Sequence, residues 1–200
     1  GLTWDVDPRI PNGAYDRQSQ LADEGFRAGA RLLARMGLSF DAWMYFPQLP
    51  ELAEFARAIP DLTIILNHIG GMLRVGPYAN RDEEVLPNWR QGLADVAQCP
   101  NVFVKLGGIG QPRTGYDWSA RDIPIGSEEL AGVMAPYMDY CIEQFGPSRC
   151  MFESNFPPDK VGHSYNVLFN AFKRLSKDYS ATERAAMFHD TAARVYKIDV

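Results

Sequence analysis

Ionisable and amide side chains stand at the ends of apolar runs in the sequence. His68 and Lys105 each follow or close such a run, and Glu153 and Asn155 close another. An imidazole near neutral pH can act as a general base or as a metal ligand, and a carboxylate beside it can move or hold a proton. These residue types predict a catalytic site of His68, Glu153 and Asn155, in which His68 is also the metal ligand.

A second group of residues is predicted to bind the substrate. Lys105 closes an otherwise apolar run, where an ammonium group is unfavourable unless it is paired or hydrated. We expect it to bind a substrate carboxylate or to polarise a carbonyl. Trp43, Tyr45 and Gln48 follow an earlier apolar run, and we expect them to line the same substrate site.

Each of these residues also has a purely structural interpretation. His68 could have both ring nitrogens bound to backbone carbonyls. Lys105 could extend from a strand end into solvent. Glu153 and Asn155 could brace the turn at Pro157 and Pro158. All these alternatives remain open from the sequence alone.

The elements that must position the site alternate between strands and helices. Because parallel neighbouring strands need a helix-length crossover, this alternation predicts an α/β fold with a parallel sheet. In such folds the chemistry lies at the carboxyl ends of the strands. Strands are predicted over 38–45, 62–68, 102–106 and 150–155, with one more near 2–4, and helices over 49–59, 85–97, 127–145, 165–175 and 181–195.

Composition restricts the class of protein. The 200 residues, 46% hydrophobic and 12% aromatic, predict one globular domain over 1–200. A net charge of −5 without a basic run argues against nucleic acid or a membrane surface as a partner. Cys99, Cys141 and Cys150 lack metal-binding or disulfide spacing. They indicate buried thiols in the cytoplasm.

Four segments together resemble one known family. They read LNHIGG at 66–71, VFVKLGG at 102–108, RCMFESNFP at 149–157 and FHDTAARVY at 188–196. In this order they resemble the amidohydrolase-related (amidohydrolase 2) family of metal-dependent hydrolases, in its lactonase-like branch. The resemblance implies a (β/α)8 barrel of the TIM type, here incomplete because its N-terminal strands are missing. It also implies that His68 belongs to the metal or substrate shell.

Two departures from the family pattern affect the expected chemistry. The acid of the last strand is replaced by Asn155, whose amide cannot accept a proton as a general base, while Glu153 replaces a glycine and could substitute. The family's H-x-H first strand is absent from this sequence. A divalent metal such as zinc is therefore expected to bind only weakly. The chain is expected to be inactive alone, or to be completed by a missing N-terminal segment or in a homo-oligomer.

The resemblance implies a hydrolase that opens a lactone or similar cyclic ester of a sugar acid or dicarboxylate. His68 and Lys105 would polarise the carbonyl or hold a carboxylate, and residues near Asn155 would orient the water. The partner would be a small-molecule carboxylate or lactone. A decarboxylase or hydratase on the same barrel, and a non-catalytic barrel that binds an acidic metabolite, are the alternatives.

Overall fold

Strands and helices alternate through the chain, as predicted. A computed structural model describes residues 2–13 and 18–199. The strands are β1 (Ser39–Ala42), β2 (Thr63–Leu66), β3 (Val102–Leu106) and β4 (Cys150–Phe152). The helices are α1 (Glu24–Arg35), α2 (Leu49–Ala58), α3 (Asp82–Ala97), α4 (Ser127–Phe145), α5 (Tyr165–Leu175), α6 (Ala181–Ala185) and α7 (Thr191–Tyr196).

The sheet has the strand order of a barrel. Its four strands are parallel and stand in the order β1-β2-β3-β4, so each strand pairs with the next one in the chain. One row of the register joins Ala42, Leu66, Val104 and Cys150. A doubly wound sheet would reverse its strand order at a switch point, whereas barrel strands follow one another without reversal. The fold is thus an incomplete α/β barrel, with four of the eight strands of a closed barrel among the described residues.

The two faces of the sheet pack against different helices. One face belongs to the main core and packs against the helices that connect the strands. The other face carries a smaller cluster, in which the last helix packs against the sheet. The main-core strand residues include Ile64, Leu66, Val102, Val104, Leu106 and Cys150. The smaller cluster comprises Ile65, Met151 and Val195, with Phe103, Ala192 and Tyr196 packed against it.

The strand predicted near residues 2–4 is wrong. This segment is extended but makes a single backbone hydrogen bond towards the sheet, from the Leu2 amide to the Trp43 carbonyl at 2.8 Å. The next amide in the same register, that of Trp4, donates instead to the Gln48 side chain at 3.0 Å. A side chain therefore takes the place that a strand ladder would need.

Other elements differ from prediction mainly at their ends. β4 ends at Phe152, so Glu153 and Asn155 lie beyond the strand rather than within it. The helix predicted over 181–195 contains a wide π-helical turn, Ala186–Asp190, between α6 and α7. This turn places Met187 in the core, where it is fully buried.

The three cysteines are free and buried, which confirms the interpretation as buried thiols. No helix among the described residues is both long enough and apolar enough to cross a membrane.

Candidate active site

The chain forms a left-handed turn directly after β2. The four residues His68–Gly71 have φ angles of 56°, 47°, 77° and 65°, all in the left-handed region. That region is unfavourable by roughly 1–2 kcal/mol for a residue with a Cβ, and a β-branched residue such as Ile69 is rarely found there. The indole of Trp89 stabilises the turn by donating a hydrogen bond to the Ile69 carbonyl at 2.8 Å. Strain of this kind is typical of functional sites, where the surrounding structure holds it in place.

Glycines allow the turn to approach its neighbours closely. A Cβ on Gly71 would lie 1.8 Å from the carbonyl oxygen of Met44. A Cβ on Gly108, in the loop after β3, would lie 2.5 Å from the Cβ of His68. The backbone after β3 therefore packs directly against His68, and the lack of a side chain at Gly71 and Gly108 allows the two close approaches.

Glu153 holds the imidazole of His68. Its Oε1 lies 2.5 Å from His68 Nδ1 and accepts a hydrogen bond from the His68 backbone amide at 3.0 Å. Both side chains are largely buried, with 15% and 13% of their surface exposed. Because a carboxylate only accepts hydrogen bonds, Nδ1 carries a proton in this pair. In the neutral imidazole Nε2 then has its lone pair free to accept a proton.

Trp43 and Arg113 pack beside the His68–Glu153 pair. The Trp43 ring meets the His68 ring edge-on, with centroids 4.6 Å apart, and the Arg113 guanidinium lies over Trp43 at 4.8 Å from the ring centroid. Burial lowers the pKa of Arg113, while the charges of Asp159, Tyr45 and Glu153 oppose this shift. A guanidinium stays charged in proteins all the same. The site therefore contains a cation suited to an anionic group of a ligand.

Sequence reasoning missed Arg113. It lies in the irregular loop after β3, where no hydrophobic periodicity marks which side chains turn inward. Its Nη1 donates to Gln111 Oε1. Its Nε is buried and has no hydrogen-bond partner among the described residues.

Asp159 joins the loops after β3 and β4, and it too was missed. It is 1% exposed, and its carboxylate accepts from the Gly110 amide at 2.9 Å, from Gln111 Nε2 at 3.0 Å and from Asn155 Nδ2 at 2.7 Å. Its signal in the sequence is only an acid that follows two prolines after the last strand. Through Gln111, Asp159 fixes the loop that carries Arg113.

Asn155 and Glu153 bind different partners. The predicted strand alternation would place both on one side, but the strand has ended and Asn155 has a left-handed φ of 48°. Glu153 binds His68, whereas Asn155 binds Asp159. The amide of Asn155 therefore orients a buried carboxylate in this structure, and its catalytic role stays a prediction.

Lys105 has partners away from the His68–Glu153 pair. Its Nζ lies 2.6 Å from Asp41 Oδ1 on β1, and Tyr196 of α7 donates to the same oxygen at 2.8 Å. Burial lowers the pKa of Lys105, but the hydrogen bonds to Asp41 and Tyr196 outweigh it and the net shift is upward. No contact among the described residues joins Lys105 to His68, so its substrate-binding role stays a prediction.

Tyr45 and Gln48 hold the first described segment of the chain. The Tyr45 hydroxyl donates to the Pro11 carbonyl at 2.6 Å. Gln48 Oε1 accepts from the amides of Trp4 and Tyr45, both at 3.0 Å, and its Nε2 donates to the Leu2 carbonyl at 2.8 Å. These contacts engage both ends of the Gln48 amide, and the substrate-binding roles of the two residues stay predictions.

From the sequence, a histidine in the loop after the last strand, such as His163, is expected to be a surface imidazole, but the structure shows that it is buried. Only 5% of it is exposed, because the 3-10 turn Pro158–Val161 folds the chain back against Gly110. Burial lowers the pKa of His163, and the charge of Asp159 opposes this shift. Its Nδ1 is buried without a hydrogen-bond partner in the part of the chain that the structure describes.

The described side chains around His68 lack the ligand set of a zinc site. In the described ranges no three His, Cys, Asp or Glu side chains lie close enough together to hold a metal ion. His68, with Glu153 on its other nitrogen, has the arrangement usual for one metal ligand. Zinc takes at least three protein ligands. These residues alone therefore do not fit a zinc site.

Comparison with known proteins identifies the family of the chain. The sequence profile described as Amidohydrolase matches residues 8–198. The uncharacterized protein y4mH of Sinorhizobium fredii is 39% identical over 173 residues, which cover 86% of this chain and 52% of the relative. An L-fucono-1,5-lactonase of Burkholderia multivorans is 28% identical over 184 residues, which cover 92% of this chain and 59% of the relative.

A solved structure has the same fold. The crystal structure of an amidohydrolase from Burkholderia multivorans with bound zinc matches with a TM-score of 0.76 and 27% identity. The match covers 90% of this chain and 59% of that one. The chain thus spans between half and three-fifths of the length of these proteins.

Proposed function

The chain belongs to the amidohydrolase family, and on that premise we propose that it forms the C-terminal part of a hydrolase that opens a lactone or a similar cyclic ester. The observation that carries the proposal is the His68–Glu153 pair, whose His68 lies in a strained turn at the carboxyl end of a parallel strand. This is where barrel enzymes place their catalytic groups. The lactonase-named relative supports the choice of reaction.

In the proposed reaction His68 acts as a general base. Its Nε2 accepts a proton from water while the water oxygen forms a bond to the lactone carbonyl carbon. Glu153 stabilises the resulting imidazolium through Nδ1–H. The ring C–O bond then breaks, and the leaving alkoxide takes the proton back from Nε2. A positioned base of this kind contributes roughly 10²–10⁴-fold to the rate.

Arg113 supplies positive charge beside this base. Its guanidinium lies over Trp43, whose ring contacts His68. We assign it to the oxyanion that forms at the carbonyl oxygen, or to a carboxylate of the substrate. Preorganised donors aimed at such a charge stabilise the transition state. No step is assigned to a metal, because these residues alone do not form a metal site.

The proposed substrate is a lactone of a sugar acid or dicarboxylate. Lys105, Tyr45, Gln48 and Asn155 keep their proposed roles around it. We further propose that the barrel is completed by more sequence or by a second copy, since β1 and β4 lie at the edges of the described sheet. Unpaired sheet edges favour association.

One observation favours a second candidate function. The position of the family acid holds Asn155, and its side chain is bound to Asp159. A barrel that binds an acidic metabolite without catalysis would have this arrangement. Such a protein would bind a lactone or its open acid and leave it unchanged.

The test uses the full-length gene product. L-Fucono-1,5-lactone and D-glucono-1,5-lactone are supplied with and without added zinc, and acid release is followed with a pH indicator. We expect turnover that the His68→Ala variant loses. Binding of these lactones without turnover would support the second candidate. If the protein neither binds nor hydrolyses these lactones, the proposal is overturned. Release of carbon dioxide from an aromatic acid would indicate a decarboxylase instead.

A further inference from the structure

A cavity of about 600 Å³ lies between the loops that follow β3 and β4. This volume falls within the range of small-molecule sites, about 300–1,000 Å³. The cavity stands at the carboxyl ends of the strands, where barrel proteins bind their ligands. Its lining combines apolar side chains with two cations: Trp118, Phe156, Val161, Tyr165, Arg121 and Lys160.

The cavity adjoins the candidate active site through one short segment. A Cβ on Gly108 would lie 2.5 Å from His68 Cβ, and a Cβ on Gly110 would lie 2.8 Å from His163 Nε2. The imidazole of His68 therefore packs on Gly108, and that of His163 packs on Gly110, two residues further along the chain. Since His163 lines the cavity, a ligand there would lie next to the segment that packs on the proposed base.

The apolar lining suits a ring or a short chain. Trp118 is stacked on Tyr116 with ring centroids 5.0 Å apart, which fixes the plane of its indole. The apolar Val161 is 55% exposed and the aromatic Tyr165 is 50% exposed, so both offer apolar surface to a ligand. Burying such surface under a ligand is favourable by about 25 cal/mol per Å².

The charges of the lining suit an anion. Arg121 is paired with Glu129 at 2.8 Å. Lys160 is exposed and makes no hydrogen bond or ion pair with any side chain in 2–13 or 18–199. None of the described residues that line the cavity is acidic. An anionic group in the cavity would therefore be attracted by Lys160 and would contact no acidic lining residue.

We propose that this cavity binds a carboxylate with an apolar ring or chain, its charge against Lys160 and its apolar body against Trp118 and Tyr165. The inference rests on the proposed function, because it identifies this ligand as the remote part of the substrate. Among lactones of sugar acids, one with an apolar substituent would then be preferred over a fully hydroxylated one.

The test measures binding by titration calorimetry. The probe is 3-phenylpropionate. Two matched compounds separate its features: 3-phenylpropan-1-ol keeps the apolar body without the charge, and gluconate keeps the charge without the apolar body. We expect 3-phenylpropionate to bind at least about 10-fold more tightly than either one, a difference of about 1.4 kcal/mol.

Variants locate the binding site. Lys160→Ala is expected to weaken 3-phenylpropionate binding about 5-fold, as for loss of one partly exposed charge contact. Val161→Glu places an acid at an exposed lining position and is expected to abolish binding without disturbing the core. Lys173→Ala, an exposed lysine of α5 outside the cavity, is the control and should leave binding unchanged.

The outcomes separate this inference from the proposed function. Equal affinity for the three compounds, or full binding by both Lys160→Ala and Val161→Glu, would overturn the inference even if lactones are hydrolysed. Probe binding that the two variants lose, without turnover of any lactone, would uphold the cavity as a carboxylate site and refute the lactonase proposal alone.

Discussion

Oε1 of Glu153 contacts His68 twice, at the backbone amide and at ring atom Nδ1, across 85 positions of sequence. One contact holds the backbone of the left-handed turn, and the other fixes which ring nitrogen carries the proton. The same carboxylate therefore controls both the conformation of the turn and the tautomer of the imidazole. Its removal should affect catalysis and local structure together.

We predict that Glu153→Gln lowers kcat by about 10²-fold or more, because a neutral amide stabilises the imidazolium far less than a carboxylate does. His68→Ala should lower kcat at least as far. Steady-state kinetics on the lactone that the protein turns over will measure both. His189→Ala, at an exposed histidine, is the control, and equal losses in all three variants would contradict the assigned roles.

Gly71→Ala should destabilise the protein by roughly 3 kcal/mol or more, because the new Cβ meets the Met44 carbonyl and the backbone must keep a positive φ. Gly132→Ala is the matched control: it lies on the exposed side of α4 with open space at its Cβ. There alanine should stabilise by about 0.5–1 kcal/mol. Urea unfolding measures both, and similar values for the two variants would refute the geometry of the turn.

The sequence located part of the site because strand ends are readable from it. His68 and Glu153 each follow an apolar run, and parallel strands bring such positions to one edge of a sheet. Arg113 and Asp159 were not predicted, since both lie in irregular loops where no periodicity shows which side chains turn inward. Lys105 shows a further limit. The sequence placed it correctly in its strand but gave no sign of its partner Asp41, which is 64 residues away.

The ion pair of Lys105 and Asp41 should contribute to stability. A double-mutant cycle with Lys105→Met and Asp41→Asn is expected to give a coupling free energy of about 1 kcal/mol, as for a partly exposed pair. Unfolding in urea will measure it. A rise in KM for the lactone in Lys105→Met, with no coupling to Asp41, would instead indicate that the lysine binds substrate.

His163 should make stability depend on pH. Because burial lowers its pKa in the folded state, the unfolded chain binds more protons at this residue as the pH falls below about 6.5. The free energy of unfolding should therefore decrease from pH 7 to pH 5, and less steeply in His163→Gln. Urea titrations at three pH values will show this. His189→Gln should keep the wild-type slope, and a wild-type slope in His163→Gln would count against the assignment.

Asp159→Asn should destabilise the protein by about 2–4 kcal/mol, because three donors lose a charged acceptor and the new amide places a donor among them. Chemical unfolding compared with Asp122→Asn, at an exposed position, isolates this effect. If the two variants unfold alike, Asp159 does not organise the loops as described.

The handedness of the turn at residues 68–71 also restricts how this site can be engineered or can evolve. An ordinary strand-end histidine can be moved by choosing another rotamer or a neighbouring position. Here the direction of the imidazole depends on a backbone with left-handed φ angles, which is the mirror image of the usual helical conformation. Transferring the base to another scaffold would therefore require the whole tetrapeptide with both glycines. The new scaffold would also need backbone carbonyls, and no side chains, where the turn packs against it.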